Sequence, residues 1–262
     1  MTGARRGVAR LAYLVAAAAI VCTTATANAQ TTDTVRVRDH QLTVHVYGTR
    51  GGTPVIVSSG DGGWVHLGPQ VAALLAARGF FVVGFDVKAY LESFTSSTAT
   101  LRMEDVPGDY RTLLAYAARG SSDKPVLVGV SEGAGLSVLA ASDASTKALL
   151  GGVVALGLPD VNELGWRWKD ALIYVTHGVP KEPTFKTRDV VASVSPLPLA
   201  AIHSTNDEFV PVSQARDLLA QAGRPSTLWI VPARDHRFSD NRPEFERRLT
   251  EAFTWIAQNQ PR

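Results

Sequence analysis

Cysteine is almost absent from this chain of 262 residues. Cys22 is the only one, so no intramolecular disulfide can form. An excess of positive charge is absent as well, since 26 Lys and Arg residues face 24 Asp and Glu residues, and nucleic-acid binding is not expected. The sequence also contains no His-Glu-x-x-His segment or other cluster with the spacing of metal ligands. We therefore expect a globular protein that uses neither a metal ion nor another cofactor.

A hydrophobic run long enough to span a membrane is lacking too. The apolar run near the N-terminus, Leu11–Cys22, has 12 residues, whereas a membrane-spanning helix needs about 20. Three arginines precede this run, and Ala27-Asn28-Ala29 follows it as an A-x-A cleavage site. We predict a signal peptide over residues 1–29, cleaved after Ala29, and a periplasmic or secreted mature protein without a transmembrane segment. An uncleaved N-terminal anchor is the alternative.

The remaining chain, residues 30–262, has the pattern of a single α/β domain. Short runs rich in Val, Ile and Phe alternate with segments of helical periodicity, which is typical of a mostly parallel sheet covered by helices. The first two runs flank Asp39-His40 and predict an antiparallel hairpin. Strands are predicted over Thr34–Arg38, Leu42–Tyr47, Pro54–Ser58, Phe80–Phe85, Val126–Val130, Val153–Gly157, Leu197–His203 and Thr227–Val231. Helices are predicted over Leu67–Ala77, Val106–Ala117, Glu132–Ala141, Ser213–Ala222 and Glu244–Ile256.

A long connection, residues 158–195, follows the sixth predicted strand. Connections of this length inside a compact domain are usually functional. Its aromatic and histidine residues are Trp166, Trp168, Tyr174, His177 and Phe185. We predict an insertion that forms a lid or one wall of a pocket; a helical insertion that only covers the sheet is the alternative.

The motif Gly129-Val130-Ser131-Glu132-Gly133 lies directly between a predicted strand and a predicted helix. A serine at such a tight turn projects its hydroxyl above the sheet, and only small neighbouring residues permit the turn. Gly-x-Ser-x-Gly can arise by chance in a chain with 22 glycines, so the position between strand and helix is the stronger argument. We therefore predict that Ser131 is a nucleophile.

A serine hydroxyl reacts only when a base takes its proton, and the base needs an acid that orients it. In the α/β-hydrolase fold the acid and then the base follow the serine along the chain. Asp207 and His236 follow the last two predicted strands in this order. We predict Asp207 as the acid and His236 as the base, with Asp160 as the alternative acid. The expected fold is thus an α/β-hydrolase fold: a mostly parallel eight-stranded sheet flanked by helices, with an insertion after the sixth strand.

The loop after the third predicted strand is rich in glycine, which lets its backbone approach a bound carbonyl group closely. An oxyanion hole needs two N–H donors, one from the residue after the nucleophile and one from this loop. We assign them to Glu132 and Asp61, with Gly62 as an alternative to Asp61. We also expect Gly62, Trp64 and Trp166 to contact the substrate.

Most of the predicted mature chain resembles a known family, and the likeness is sharpest from Val55 to Gly135. The loop Ser59-Gly60-Asp61-Gly62-Gly63-Trp64, the helix after it and the strand segment Phe81–Asp86 are similar to the VirJ/AcvB group of bacterial virulence proteins. The resemblance implies a periplasmic α/β-hydrolase-like protein, and the AcvB branch is associated with hydrolysis of lysyl-phosphatidylglycerol. The group usually has aromatic residues around its serine, where this chain has Val130 and Glu132.

The residues and the resemblance together predict an exported serine hydrolase that cleaves a small-molecule or lipid ester, at a membrane surface if the ester is a lipid. Lysyl-phosphatidylglycerol is the first candidate substrate that the resemblance implies. Carboxylates of Asp61, Glu132 and Glu92 near the acyl group would favour a positively charged acyl group. A general periplasmic carboxylesterase or peptidase is one alternative. A non-catalytic virulence or assembly protein on the same fold is the other.

Overall fold

The computed structural model describes residues 30–167 and 182–261. The predicted signal peptide, residues 1–29, lies outside the described residues. So do three positions of the predicted insertion, Trp168, Tyr174 and His177.

A sheet of eight strands forms the centre of the molecule. Its strands are β1 (Thr31–Val37), β2 (His40–Tyr47), β3 (Pro54–Ser58), β4 (Phe81–Phe85), β5 (Val126–Val130), β6 (Gly152–Leu156), β9 (Leu199–Ser204) and β10 (Ser226–Val231). Their order across the sheet is β1-β2-β4-β3-β5-β6-β9-β10. The strand β2 pairs antiparallel with β1 and β4, and every other pair is parallel. This arrangement confirms the predicted fold class.

Helices cover both faces of the sheet. They are α1 (Leu67–Ala77), α2 (Val87–Ser93), α3 (Val106–Ala117), α4 (Glu132–Ser142), α5 (Ala144–Lys147), α6 (Val212–Gln221) and α7 (Arg242–Asn259). The helices α1 and α7 pack on one face, while α2, α3, α4 and α6 pack on the other. Every residue of β3, β5 and β6 is buried. Burial on both faces explains why these strands are almost continuous runs of Val, Ile and Leu.

The described part of the insertion after β6 is a small antiparallel sheet. It consists of β7 (Val161–Glu163) and β8 (Thr184–Lys186), and two 3-10 helices follow, Thr187–Asp189 and Val191–Val194. This sheet lies against α4, since a Cβ atom on Gly135 would come within 1.7 Å of the Asn162 side chain. The insertion thus brings β7 to the amino end of α4.

The six parallel strands all end at the same edge of the sheet, so the segments that follow them lie close together in space. Four of these segments are the loop after β3, the start of α4 after β5, and the loops after β9 and β10. They carry all of the predicted catalytic residues.

Candidate active site

Ser131 occupies a strained turn between β5 and α4. Its backbone has φ 51° and ψ −118°, a region that residues with a side chain rarely adopt. Its N–H donates to the carbonyl oxygen of Leu156 at 2.8 Å. A Cβ atom on Gly129 would lie 2.2 Å from the Gly133 oxygen, and one on Gly133 would lie 2.3 Å from the Ser59 oxygen. Both glycines of the motif are therefore required for the backbone to make this turn.

Asp207 and His236 form a close pair between the loops after β9 and β10. Asp207 Oδ2 lies 2.6 Å from His236 Nδ1, and Asp207 Oδ1 accepts the N–H groups of Phe209 and Val210 at 3.0 and 2.9 Å. Burial raises the pKa of Asp207, but His236 and the two N–H groups outweigh burial, and the pKa lies below its ordinary value. Glu208 fixes the same histidine from the other side, because its Oε2 accepts the His236 N–H at 2.7 Å. Asp207 thus orients the ring of His236, and the adjacent Glu208 binds its backbone.

The imidazole of His236 lies over Gly157, directly after β6. A Cβ atom on Gly157 would come within 2.3 Å of His236 Cε1. The second ring nitrogen, Nε2, is buried and has no hydrogen-bond partner among the described residues. Ser131 and His236 line the same cavity without a hydrogen bond between Oγ and Nε2. In free enzymes such catalytic bonds are often long and tighten only with substrate.

Asp160, the alternative acid, is engaged elsewhere. It is buried, and its carboxylate binds Arg188, whose Nε donates to Oδ2 at 2.7 Å and whose N–H donates to Oδ1 at 3.2 Å. Of the two candidate acids, only Asp207 contacts His236 in the structure.

The loop after β3 approaches the nucleophile through its glycines. The Gly63 N–H donates to the Gly60 oxygen at 3.0 Å, which closes a turn with Asp61 and Gly62 at its centre. A Cβ atom on Gly60 would lie 3.5 Å from the Ser131 Cβ atom. The predicted donor Asp61 and its alternative Gly62 both line the cavity that contains Ser131.

Ser131, His236 and the loop after β3 line one cavity of about 630 Å³. Among the described residues it is lined by the loop after β3, by both ends of the β5–α4 turn, by the start of the insertion and by the loops after β9 and β10. The lining residues are Gly60, Asp61, Gly62, Gly63, Val65, His66, Leu67, Gly68, Val130, Ser131, Glu132, Pro159, Val161, Glu163, Phe209, Val210, His236 and Arg237.

Trp64 does not line this cavity, contrary to its expected role in substrate contact. Its indole occupies the space that Gly84 leaves free on β4, where a Cβ atom would lie 2.2 Å from the ring. The ring also stacks on His45, with centroids 4.9 Å apart. The aromatic residue of the loop therefore fixes the loop to the sheet.

Trp166 and Glu92 also lie outside this cavity; together they line a separate one. Trp166 is buried, and Lys88 Nζ lies 4.1 Å from its ring centroid. The same ammonium group forms an ion pair with Glu92 at 3.1 Å. Because Glu92 belongs to this cluster, it is not among the carboxylates beside the nucleophile.

Glu132 contributes more than a backbone position. It is the first residue of α4, and the first N–H groups of a helix have no acceptor within the helix. Its side chain is buried, and Oε1 accepts the Glu163 N–H at 2.7 Å. Burial, then the negative charges of Asp61 and Glu163, raise the pKa of Glu132 well above its ordinary value. Three acidic residues, Asp61, Glu132 and Glu163, therefore line the cavity close enough for their charges to interact.

Among the polar and aromatic residues that line the cavity, four are not predicted from the sequence, namely His66, Glu163, Phe209 and Arg237. Glu163 and Phe209 lie in the insertion and in the turn after Asp207, and only the tertiary fold brings them to the serine. Within residues 30–167 and 182–261, no group of three His, Cys, Asp or Glu side chains is arranged to hold a metal ion. In the same ranges, no helix combines the length and apolarity needed to cross a bilayer.

Comparison with known proteins agrees with this geometry. Residues 53–165 match the family model "Bacterial virulence protein (VirJ)". No curated protein sequence matches the chain significantly. The solved structures that resemble it include three hydrolases, each with low sequence identity, and such a likeness shows the fold alone.

The first of these is a membrane phospholipase A described as a bacterial virulence factor, at 12% identity over 88% of this chain and 87% of the other, with a TM-score of 0.64. The α/β hydrolase GrgF from Penicillium sp. sh18 matches at 14% identity over 88% and 99%, with a TM-score of 0.64. Est1E from Butyrivibrio proteoclasticus matches at 13% identity over 87% and 99%, with a TM-score of 0.63. The chain is therefore similar to VirJ over residues 53–165, as its sequence predicts, and its fold is that of the α/β hydrolases.

Proposed function

We propose that this protein is a serine hydrolase that cleaves an acyl ester with Ser131, His236 and Asp207. One observation carries the proposal. His236, whose Nδ1 lies 2.6 Å from Asp207 Oδ2, lines the same cavity as a serine held at a strained strand-to-helix turn. The lowered pKa of Asp207 keeps that carboxylate ionised, as an acid that stabilises an imidazolium must be.

The chemistry follows from these positions. His236 Nε2 takes the proton of Ser131 while Oγ attacks the ester carbonyl carbon, and the N–H groups of Asp61 and Glu132 stabilise the resulting oxyanion. Collapse of the tetrahedral species breaks the ester bond, and His236 returns its proton to the leaving alcohol. Water then cleaves the acyl-enzyme by the same route, so that no cofactor takes part.

The mechanism is tested by labelling with a fluorophosphonate, which reacts with an activated serine. Ser131→Ala should abolish labelling and ester turnover while the protein still folds, because loss of a triad member costs about 10⁴-fold or more in rate. Asp207→Asn should be impaired by a similar factor because it favours the wrong tautomer of His236. Asp160→Asn is the matched control: it removes a buried carboxylate that binds Arg188, and it should retain turnover. Wild-type turnover in Ser131→Ala would contradict the proposal.

We further propose that the acyl group carries a positive charge, with lysyl-phosphatidylglycerol as the first substrate to test. The acidic residues Asp61, Glu132 and Glu163 line the cavity close enough for their charges to interact. Negative charge beside an oxyanion opposes the charge that develops in the transition state. An ammonium group on the substrate would offset this repulsion, and the resemblance of the sequence to the VirJ/AcvB group implies the same choice.

This substrate preference is tested by comparing a lysyl ester with an uncharged acyl ester of the same alcohol. The wild type should favour the lysyl ester by about tenfold in kcat/KM, which corresponds to roughly 1.4 kcal/mol. The preference should shrink in Glu163→Gln, which removes one of the two negative charges beside Glu132 and keeps the backbone N–H that donates to Glu132 Oε1. Glu92→Gln is the matched control, because Glu92 pairs with Lys88 outside the cavity. Equal kcat/KM for the two esters would instead favour a general carboxylesterase.

We propose the periplasm or the exterior of the cell as the location, with a mature chain that begins at Gln30. The positive start, the short apolar run and the Ala27-Asn28-Ala29 site support this location. The described residues without a spanning helix agree with it.

A further inference from the structure

Large apolar side chains that are exposed to solvent are concentrated at the mouth of the active-site cavity. Among the described residues, four such side chains stand out: Val65 at 48% exposure, Leu149 at 46%, Val161 at 47% and Phe209 at 49%. Three of the four line the active-site cavity. The fourth, Leu149, precedes β6 at the opposite edge of the sheet.

The three residues at the mouth belong to three separate segments. Val65 follows the oxyanion loop, Val161 begins β7 in the insertion, and Phe209 follows the triad acid Asp207. They define an apolar rim. Exposed apolar residues scattered singly need no explanation, but a set that converges on one opening marks an interaction site.

The cavity combines an acidic wall with an exposed apolar opening. Its buried wall beside Ser131 is acidic, since Glu132 is 6% exposed and lies beside Asp61 and Glu163. Its exposed apolar residues are at the opening, whereas Leu67, Val130 and Val210 are apolar lining residues buried inside it. A molecule that fits this gradient presents a polar or charged end to the serine and leaves its apolar part at the mouth. That description applies to an amphiphile, and an amphiphile with long acyl tails resides in a lipid layer.

We propose that the apolar rim of Val65, Val161 and Phe209 docks on the surface of a phospholipid layer. The polar end of a lipid then enters the cavity while its tails stay in the layer. Arg237 lines the same cavity and adds a positive charge that suits lipid phosphate groups. The inference rests on the proposed ester hydrolysis for its meaning, but docking itself needs only the rim.

Docking is measured apart from turnover by using the Ser131→Ala protein and vesicles of phosphatidylethanolamine mixed with phosphatidylglycerol. This protein should sediment with the vesicles. Adding Phe209→Ser should weaken binding by about tenfold, because apolar contact area drives interfacial binding. Adding Leu149→Ser, which removes an equally exposed apolar side chain away from the mouth, should leave binding within about twofold. Phe209→Trp should retain binding, because tryptophan is favoured at lipid interfaces, and this variant guards against misfolding as the cause of a loss.

Equal binding of the Phe209→Ser and Leu149→Ser proteins would overturn the proposal, as would failure of the parent protein to bind vesicles. Self-association that Phe209→Ser abolishes, seen by sedimentation velocity without vesicles, would assign the rim to a second copy of the chain instead. Hydrolysis of a short water-soluble ester by the wild type tests the proposed function independently. Vesicle binding through the rim without hydrolysis of any ester would contradict the proposed function. Ester hydrolysis without vesicle binding would contradict only the proposed docking.

Discussion

At the scale of single residues, the candidate site depends on positions that lack a side chain. Gly157 is the clearest case, because the ring of His236 occupies the place where its Cβ atom would be. Gly157 also has φ +60°, so that a side chain there would strain the backbone as well. A side chain at this position would strain the backbone and would displace the His236 ring. The two effects can be separated, because Gly79 also has a positive φ but has no neighbour within 4 Å of its Cβ position.

Gly157→Ala should lower turnover by about 100-fold, because displacement of a catalytic group by about 1 Å has an effect of this size. Both Gly157→Ala and Gly79→Ala should lose about 1 kcal/mol of unfolding free energy through the strained backbone. Only Gly157→Ala should lose activity. The measurement is ester turnover together with denaturant unfolding of both variants. Loss of activity in both variants to the same degree would show that His236 does not depend on this space.

At the scale of elements, the sequence predicts the strands and helices that depend on local patterns. Buried parallel strands such as β3 and β5 are almost entirely apolar, and α1 ends as predicted near Gly79. The positions of Ser131, Asp207 and His236 follow, because each comes directly after a strand of the same sheet. Two neighbouring carboxylates illustrate the limit of this reasoning. Asp207 contacts the ring of His236 and Glu208 contacts its backbone, a division that spacing alone does not reveal.

Elements that depend on distant partners were not predictable. The short helix α2 begins immediately after β4, where the Val87 N–H donates to the Ser59 hydroxyl at 3.0 Å and the Tyr90 hydroxyl donates to Asp109 on α3 at 2.7 Å. The strands β7 and β8 exist because they pair with each other, and this pairing brings Glu163 to the cavity wall. Trp64 is predicted to contact the substrate. Its actual site depends on Gly84, which lies on another strand.

At the scale of the whole molecule, the buried carboxyl group of Glu132 links stability to pH. Its pKa is raised above the ordinary value of 4.5, so between these two pKa values the folded protein keeps a proton that the unfolded chain loses. The unfolding free energy that this group contributes is therefore fully present below about pH 4.5 and declines as the pH rises through the folded pKa. A neutral residue at position 132 would not show this decline.

Glu132→Gln should become more stable relative to the wild type as the pH rises from about 4 to about 9. At the acidic end the two proteins should differ little, because Glu132 is then protonated in both the folded and the unfolded state. The measurement is denaturant unfolding at a series of pH values. Glu104→Gln, which removes an exposed carboxylate far from the cavity, is the control for the change in net charge. Parallel pH profiles for the wild type and Glu132→Gln would contradict a raised pKa.

The proposed catalytic groups are divided between two halves of the chain. The segment similar to VirJ, residues 53–165, contains Ser131 and the loop with Asp61. The loops after β9 and β10, which supply Asp207 and His236, lie beyond it. A match over the first half alone thus includes the proposed nucleophile and leaves out the proposed base. Whether a relative matched in this way retains an aspartate and a histidine at the ends of its last two strands is then the feature that separates working hydrolases from relatives that keep only the scaffold.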